Sequence, residues 1–295
     1  MPVRVTQTML NNNMMRNLSN SMGRMDKLQE QISSGRKISR PSDDPVIAIR
    51  GMVYRSVLTQ NEQYQRNVDE TRAWMDSSDE ALDEITTVLH RVKELMVQAG
   101  GVLPKESKVS IGQEILQLRD HLGSIANKTI GGRYIFAGTD TDTAPYDQAA
   151  NQFVNKNDSD IVLELSKSIY IPVNVRGVDV FTYPNQTDNI FKLLTDMGND
   201  LLAGQNVSSY SSKLEDQTSN VLMIRSDLGA RINRLDLIDQ RLKAESVSTT
   251  KLMSDNEDVD EAEVITKLKT QENVHRAALG IGARIIQPSL IDFLR

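Results

Sequence analysis

Three histidines, His90, His121 and His275, are the side chains best suited to metal binding or proton transfer near neutral pH. None has a second histidine, or the glutamate of a zinc-hydrolase helix, at a spacing that converges on one ion. His275 is expected to pack or to be solvated. Serines crowd into VSSYSSK at 207–213, but no glycine-framed strand–turn–helix surrounds them, so no hydroxyl is set up as a nucleophile. Gly100-Gly101 and Gly131-Gly132 read as turn glycines; no strand–loop–helix order makes them a phosphate cradle. The carboxylates of EDVDEAE, 257–263, miss calcium-loop spacing and lack its central glycine. They suit the solvated first turn of a helix, where negative charge is favoured. The chain has no cysteine, which removes disulfides, thiol catalysis and zinc–thiolate sites. No catalytic, cofactor-binding or metal site is expected, and the reading is of a protein that is not an enzyme.

One charged cluster remains, in ISSGRKISRPSDDPVIAIR, residues 32–50. Gly35 can end a helix through a left-handed cap. Asp44 followed by Pro45 is a strong helix start, because the carboxylate caps and proline fits the first turn. The segment between them is a defined loop with Arg36, Lys37 and Arg40 near Asp43 and Asp44. It reads either as simple capping with solvated charge or as a loop locked by arginine–carboxylate pairs among Arg40, Asp43 and Asp44.

The elements that must carry this loop are long helices. Aromatics are 4% of the 295 residues while hydrophobic residues reach 39%, an aliphatic, methionine-rich composition that suits helices packed side by side. Val57, Asn61, Tyr64, Val68, Thr71, Met75, Ser78, Leu82, Ile85, Leu89, Val92, Met96 and Ala99 alternate steps of four and three, one stripe of a helix roughly 65 Å long. Gly100-Gly101 and Pro104 end it. A second stripe, Ile111, Ile115, Leu118, Leu122, Ile125 and Thr129, predicts an antiparallel helical hairpin. Residues 131–184 change character: QFV, IVLEL, SIYIPVNV and DVFTY lie between turn residues and read as a small β-rich insert. Helix returns near Asp188 and stops at Gly204. A further stripe runs through Leu214, Val221, Ile224, Leu228, Leu235, Ile238, Leu242 and Leu252, and a final helix runs from about Val259 to near Gln287.

The expected fold class is therefore mainly α: a long antiparallel helical bundle or coiled-coil rod built by the N- and C-terminal parts, with a β-rich insert in the middle. Its expected parts are an N-terminal assembly helix (1–40), rod (41–130), insert (131–184), rod (185–254) and a C-terminal assembly helix (255–295). Met15, Leu18, Met22, Met25 and Ile32 mark the first terminal stripe; Val264, Leu268, Ala278, Ile281 and Ile285 mark the last. Both stripes are diluted by Met, Gln and small residues, which pack adaptably and specify poorly. Each is expected to be disordered in the monomer and to fold on the other when subunits assemble. Residues 1–50 carry eight Lys/Arg and four Asp/Glu; residues 255–295 carry five and eight, so opposite signs favour that pairing. A net charge of −6 gives no electrostatic case for nucleic acid. No apolar run reaches the length of a membrane span, so no membrane partner is expected, and the first residues lack the apolar core of a classical signal peptide.

Four segments resemble the flagellin family. Ile32-Ser33-Ser34-Gly35-Arg36-Lys37-Ile38 with Asp43-Asp44-Pro45 follows its I-S-x-G-x-x-I…D-D pattern. LHRVKELMVQAG at 89–100, DLGARINRLD at 227–236 and the stretch 258–294 are similar to its rod and end segments, in the same order. PSDDP, and GGRYIFAGTDTDTAPYD at 131–147, point within that family to the flagellin-like subunits of the hook–filament junction. The resemblance implies a secreted, self-assembling structural subunit of the bacterial flagellum, exported unprocessed through the type III channel with a cytoplasmic chaperone. It implies a ring of copies, seated between the other junction protein and flagellin. A flagellin proper, polymerising without limit, is the alternative; a cytoplasmic coiled-coil regulator is a third reading.

Overall fold

The structure is a computed structural model that describes residues 7–101 and 103–286. It is mainly helical: α1 (Gln7–Ser34), α2 (Pro45–Ala99), α3 (Lys105–Ala126), α4 (Gly177–Phe181), α5 (Ile190–Leu202), α6 (Ser211–Glu257) and α7 (Glu261–Ile286). Six short strands fall between α3 and α4: β1 (Thr129–Ile130), β2 (Arg133–Tyr134), β3 (Tyr146–Asp147), β4 (Gln152–Phe153), β5 (Val162–Ser166) and β6 (Ile169–Pro172). They form three separate antiparallel pairs, β1–β2, β3–β4 and β5–β6. The chain divides into two compact units, one holding both chain ends up to Gln60 and from Glu245 on, the other Asn61–Ala244.

In the Asn61–Ala244 unit the heptad stripe of α2 does what its spacing predicts. From Asn61 to Ala99 every stripe residue is buried except the half-buried Tyr64. Burying one stripe, rather than intrinsic helix propensity, is what holds so long a helix in water. α3 returns antiparallel to α2: Arg91 pairs with Glu114, and Lys128, just past α3, reaches Glu80 and Glu84 at 3.1 and 3.0 Å. α6 runs antiparallel to α2 as well, with Arg225 on Asp79 and Asp83 and Arg72 on Asp236. Asn61, buried in the seam, donates to the carbonyl of Leu242 at 3.0 Å. α3 and α5 cross closely because glycines face each other there; a Cβ on Gly112 would lie 2.9 Å from the carbonyl oxygen of Gly198.

β1 and β2 turn through Gly131 and Gly132, φ +56° and +82°. A two-residue hairpin loop with both central residues left-handed matches strand twist, and glycine adopts it without a Cβ clash. The strand-rich stretch does not stand apart from the helices. Phe181 packs edge-on against Phe136 and stacks on Phe153 and Phe191, at centroid distances of 5.2, 5.2 and 5.7 Å, and Tyr146 lies 4.5 Å from Phe191. These rings belong to the same continuous core as the α2, α3 and α6 stripes. DVFTY, expected among the strands, instead forms the short helix α4 and its end. Val180 and Phe181 are fully buried, and the Thr182 hydroxyl donates to the carbonyl of Val178. Tertiary burial here overrides the β-propensity of Val and Phe.

Candidate functional site

In the unit that holds the chain ends, α1 and α7 pack on each other antiparallel. Successive contacts climb one helix as they descend the other: the Gly35 carbonyl accepts from Val259 N–H at 3.0 Å, Ser21 meets Gln271 and His275, and Met14 lies against Gly282. The inward positions of α1 are Asn11, Met14, Leu18, Ser21, Met25, Leu28 and Ile32, again steps of three and four. Leu18, Met25 and Ile32 therefore face inward as their spacing suggests. Met15 and Met22 do not: they are 63% and 65% exposed, and Met14 and Ser21 take their places. Two heptad frames overlap in this methionine- and asparagine-rich helix, and hydropathy alone does not separate them.

On α7, Val264 is buried, and Leu268 and Ala278 are half-buried on the inward face. Ile281 is 62% exposed, with the buried Gly282 beside it facing α1. A Cβ on Gly282 would land on the Met14 side chain, so the missing side chain is what lets methionine in. Ile285 lies in the last turn of α7, and its side chain falls outside the described residues, as does the helix end expected at Pro288.

The loop between α1 and α2 is fastened at both ends. Gly35, φ +68°, closes α1 with its N–H on the Gln31 carbonyl at 2.9 Å. Asp44 caps α2, its Oδ1 accepting from the N–H groups of Val46 and Ile47 at 2.9 and 3.2 Å. Asp43 pairs with Lys27 Nζ at 3.1 Å, and its Oδ2 accepts from the Arg40 N–H at 3.1 Å. These contacts, the Lys27 hydrogen bond first, hold the Asp43 carboxyl below the usual carboxylate range. Arg40 thus contributes its backbone rather than its guanidinium, and the lock is lysine–carboxylate rather than arginine–carboxylate. Lys27 comes from α1, a turn and more before the loop, so loop-local pattern reading missed it.

A second fastening was not legible in the sequence. The Lys37 N–H donates to the Glu257 carbonyl at 2.7 Å, its Nζ donates to the Asp255 carbonyl at 2.7 Å, and the backbones of Arg36 and Asp258 pair in a one-residue antiparallel β-bridge. The Glu257 side chain, 7% exposed, takes Arg55 Nη1 on Oε2 at 2.8 Å. It fits because Gly51 of α2 has no side chain; a Cβ there would collide with Oε1. The loop after α1 and the link before α7 are thus stitched to each other and to the start of α2.

None of this is catalytic geometry. His90 and His121 are exposed, and His275 is part of the α1–α7 seam. Among the described residues no group of three His, Asp or Glu side chains is placed to hold a metal ion. Among the same residues no helix is long and apolar enough to cross a membrane. What the arrangement can do is present two paired terminal helices with apolar side chains still exposed along them, including Met15, Met22 and Ile281.

Models of the bacterial flagellin N-terminal and C-terminal helical regions match residues 5–141 and 211–294. Flagellar hook-associated protein 3 of Salmonella typhimurium is 27% identical over 94% of this chain and 95% of its own length. Flagellin of Bacillus subtilis is 28% identical over 89% of each. The crystal structure of flagellar hook associated protein-3 from Legionella pneumophila superposes with a TM-score of 0.61 at 16% identity, covering 69% of this chain and 99% of that one.

Proposed function

The chain belongs to the bacterial flagellin family, and from that premise we propose that it joins the flagellar hook to the filament. It is a structural subunit of the bacterial flagellum with no enzymatic activity. The observation that carries this reading is the near end-to-end likeness to a hook-associated protein 3, strand-rich middle included. The shared fold runs likewise through almost the whole of a solved hook-associated protein. The flagellin-region models cover the two terminal parts, as they would in either a junction subunit or a flagellin.

In this reading the chain is secreted and sits outside the cell at the hook–filament junction, as a ring of copies. Its neighbours are the other junction protein on one side and flagellin on the other, and a cytoplasmic chaperone keeps it competent for export. The terminal helices are the assembly elements. Their seam is thin, with Asn11, Ser21, Gln271, Ala278 and Gly282 at inward positions, and a pair so poor in large apolar groups gains much of its stability from burial against neighbours. Free in solution, α1 and α7 fray, and they settle when copies come together. Labelled antibody on intact flagella tests the placement. Label confined to a short zone between hook and filament supports it; label along the whole filament, or filaments grown from the purified chain alone, would instead make this chain a flagellin.

A further inference from the structure

The α1–α7 seam is built from layers of unequal size. In its middle the small Ser21, 4% exposed, lies opposite two large polar residues. Gln271 Nε2 donates to Ser21 Oγ at 2.8 Å, and His275 Nδ1 lies 3.3 Å from the same oxygen, where it accepts the hydroxyl proton when the ring is protonated at Nε2. Two turns further along α1 the sizes reverse: the long Met14 fills the space that Gly282 leaves empty. Apolar steps flank the polar layer, Leu18 on one side and Met25 on the other.

We infer that Ser21, Gln271 and His275, with Met14 against Gly282, make the end helices select each other rather than a second copy of themselves. This rests on the reading of the chain ends as assembly elements. A part-buried polar layer, Ser21 buried and Gln271 and His275 half-buried, that is satisfied in only one pairing selects that pairing. Two α7 helices would crowd two glutamines and two imidazoles into a layer sized for one serine and leave a void where two Gly282 face. Two α1 helices would leave serines across a gap and force methionine against methionine. Overpacking and voids both cost stability, so both homotypic pairs are disfavoured twice. In a ring, where many copies of α1 and α7 are at close quarters, that choice keeps the subunits from cross-pairing end to end in the wrong combination.

The absence of cysteine makes the test direct on the full chain in its assembled state, where the end helices have settled. Leu18→Cys with Ala278→Cys reports the α1–α7 pair by an internal disulfide. Leu18→Cys alone and Ala278→Cys alone report α1–α1 and α7–α7 pairs as covalent dimers under mild oxidation. With the native layer, the internal link should dominate and homotypic dimers should be scarce. Ser21→Leu with Gln271→Leu and His275→Ala removes polarity at roughly conserved volume and should raise homotypic dimers about tenfold, the scale of one unsatisfied buried polar group. Ser21→Ala, which keeps size and loses only the hydrogen bonds, should give a smaller rise and keeps the test open if the triple variant unfolds. Homotypic dimers at the same yield with native and altered layers would overturn the inference. Failure of the internal link in the native layer would instead overturn the pairing of the ends itself.

Discussion

Gly51→Ala places a methyl group where Glu257 keeps its carboxylate, and the sign of its effect should depend on Glu257. Alanine in a helix interior is favoured over glycine by about 1 kcal/mol. With Glu257 present, the methyl displaces the side chain and breaks its hydrogen bond to Arg55, 2.8 Å long. A charge-assisted bond of that kind is worth about 1.5–3 kcal/mol, and the half-exposed Arg55 places this one toward the lower end. Gly51→Ala should then be net destabilising by about 1 kcal/mol. In a Glu257→Ala background the clash is gone and the same substitution should stabilise by about 1 kcal/mol, a coupling of about 2 kcal/mol in the double-mutant cycle. Urea unfolding of the full chain followed by helical circular dichroism gives the free energies. Amide hydrogen exchange at residues 35–60 and 250–270 places the change. Equal stabilisation by Gly51→Ala in both backgrounds would refute the packing of Glu257 over Gly51.

Asp44→Ala should cost about 1 kcal/mol through the lost cap. Asp43→Ala with Asp44→Ala should leave the subunit exported yet unable to support a filament, read by electron microscopy of cells and immunoblotting of the medium. Because the folded state holds Asp43 below its usual pKa, the Lys27–Asp43 contribution is present above the unfolded value of 3.8 and is lost as pH falls through the lower folded value. Lys27→Met should move the Asp43 titration, followed by carboxyl NMR, back up toward the ordinary range. Replacing 145–184 with a Gly/Ser linker removes Tyr146, Phe153 and Phe181 from around Phe136 and Phe191, so the Asn61–Ala244 unit should lose cooperative unfolding rather than survive the cut. A sharp thermal transition retained by that variant would show the strand-rich stretch to be dispensable for the core.

The long helices were legible because heptad spacing repeats for many turns: from Asn61 to Ala99 every stripe residue but the half-buried Tyr64 is buried. Gly35 and Asp44 were legible because left-handed caps and N-caps demand particular residue types. In α1, where methionine and asparagine dilute two overlapping frames, only Leu18, Met25 and Ile32 were placed inward. α4 was hidden because short segments rich in Val and Phe follow their packing partners rather than their propensities. Contacts that join distant parts of the chain, Lys27 with Asp43 or Arg55 with Glu257, depend on how the helices dock, and no local pattern encodes that.

Whether this chain joins hook to filament is decided by deleting its gene in its own bacterium and examining hooks, filaments and medium together. As the link between hook and filament, its loss should leave hooks without filaments and unassembled flagellin in the medium, and expression of the native chain should restore filaments. Filaments of normal length on hooks that lack this chain would show that it is not the link between them.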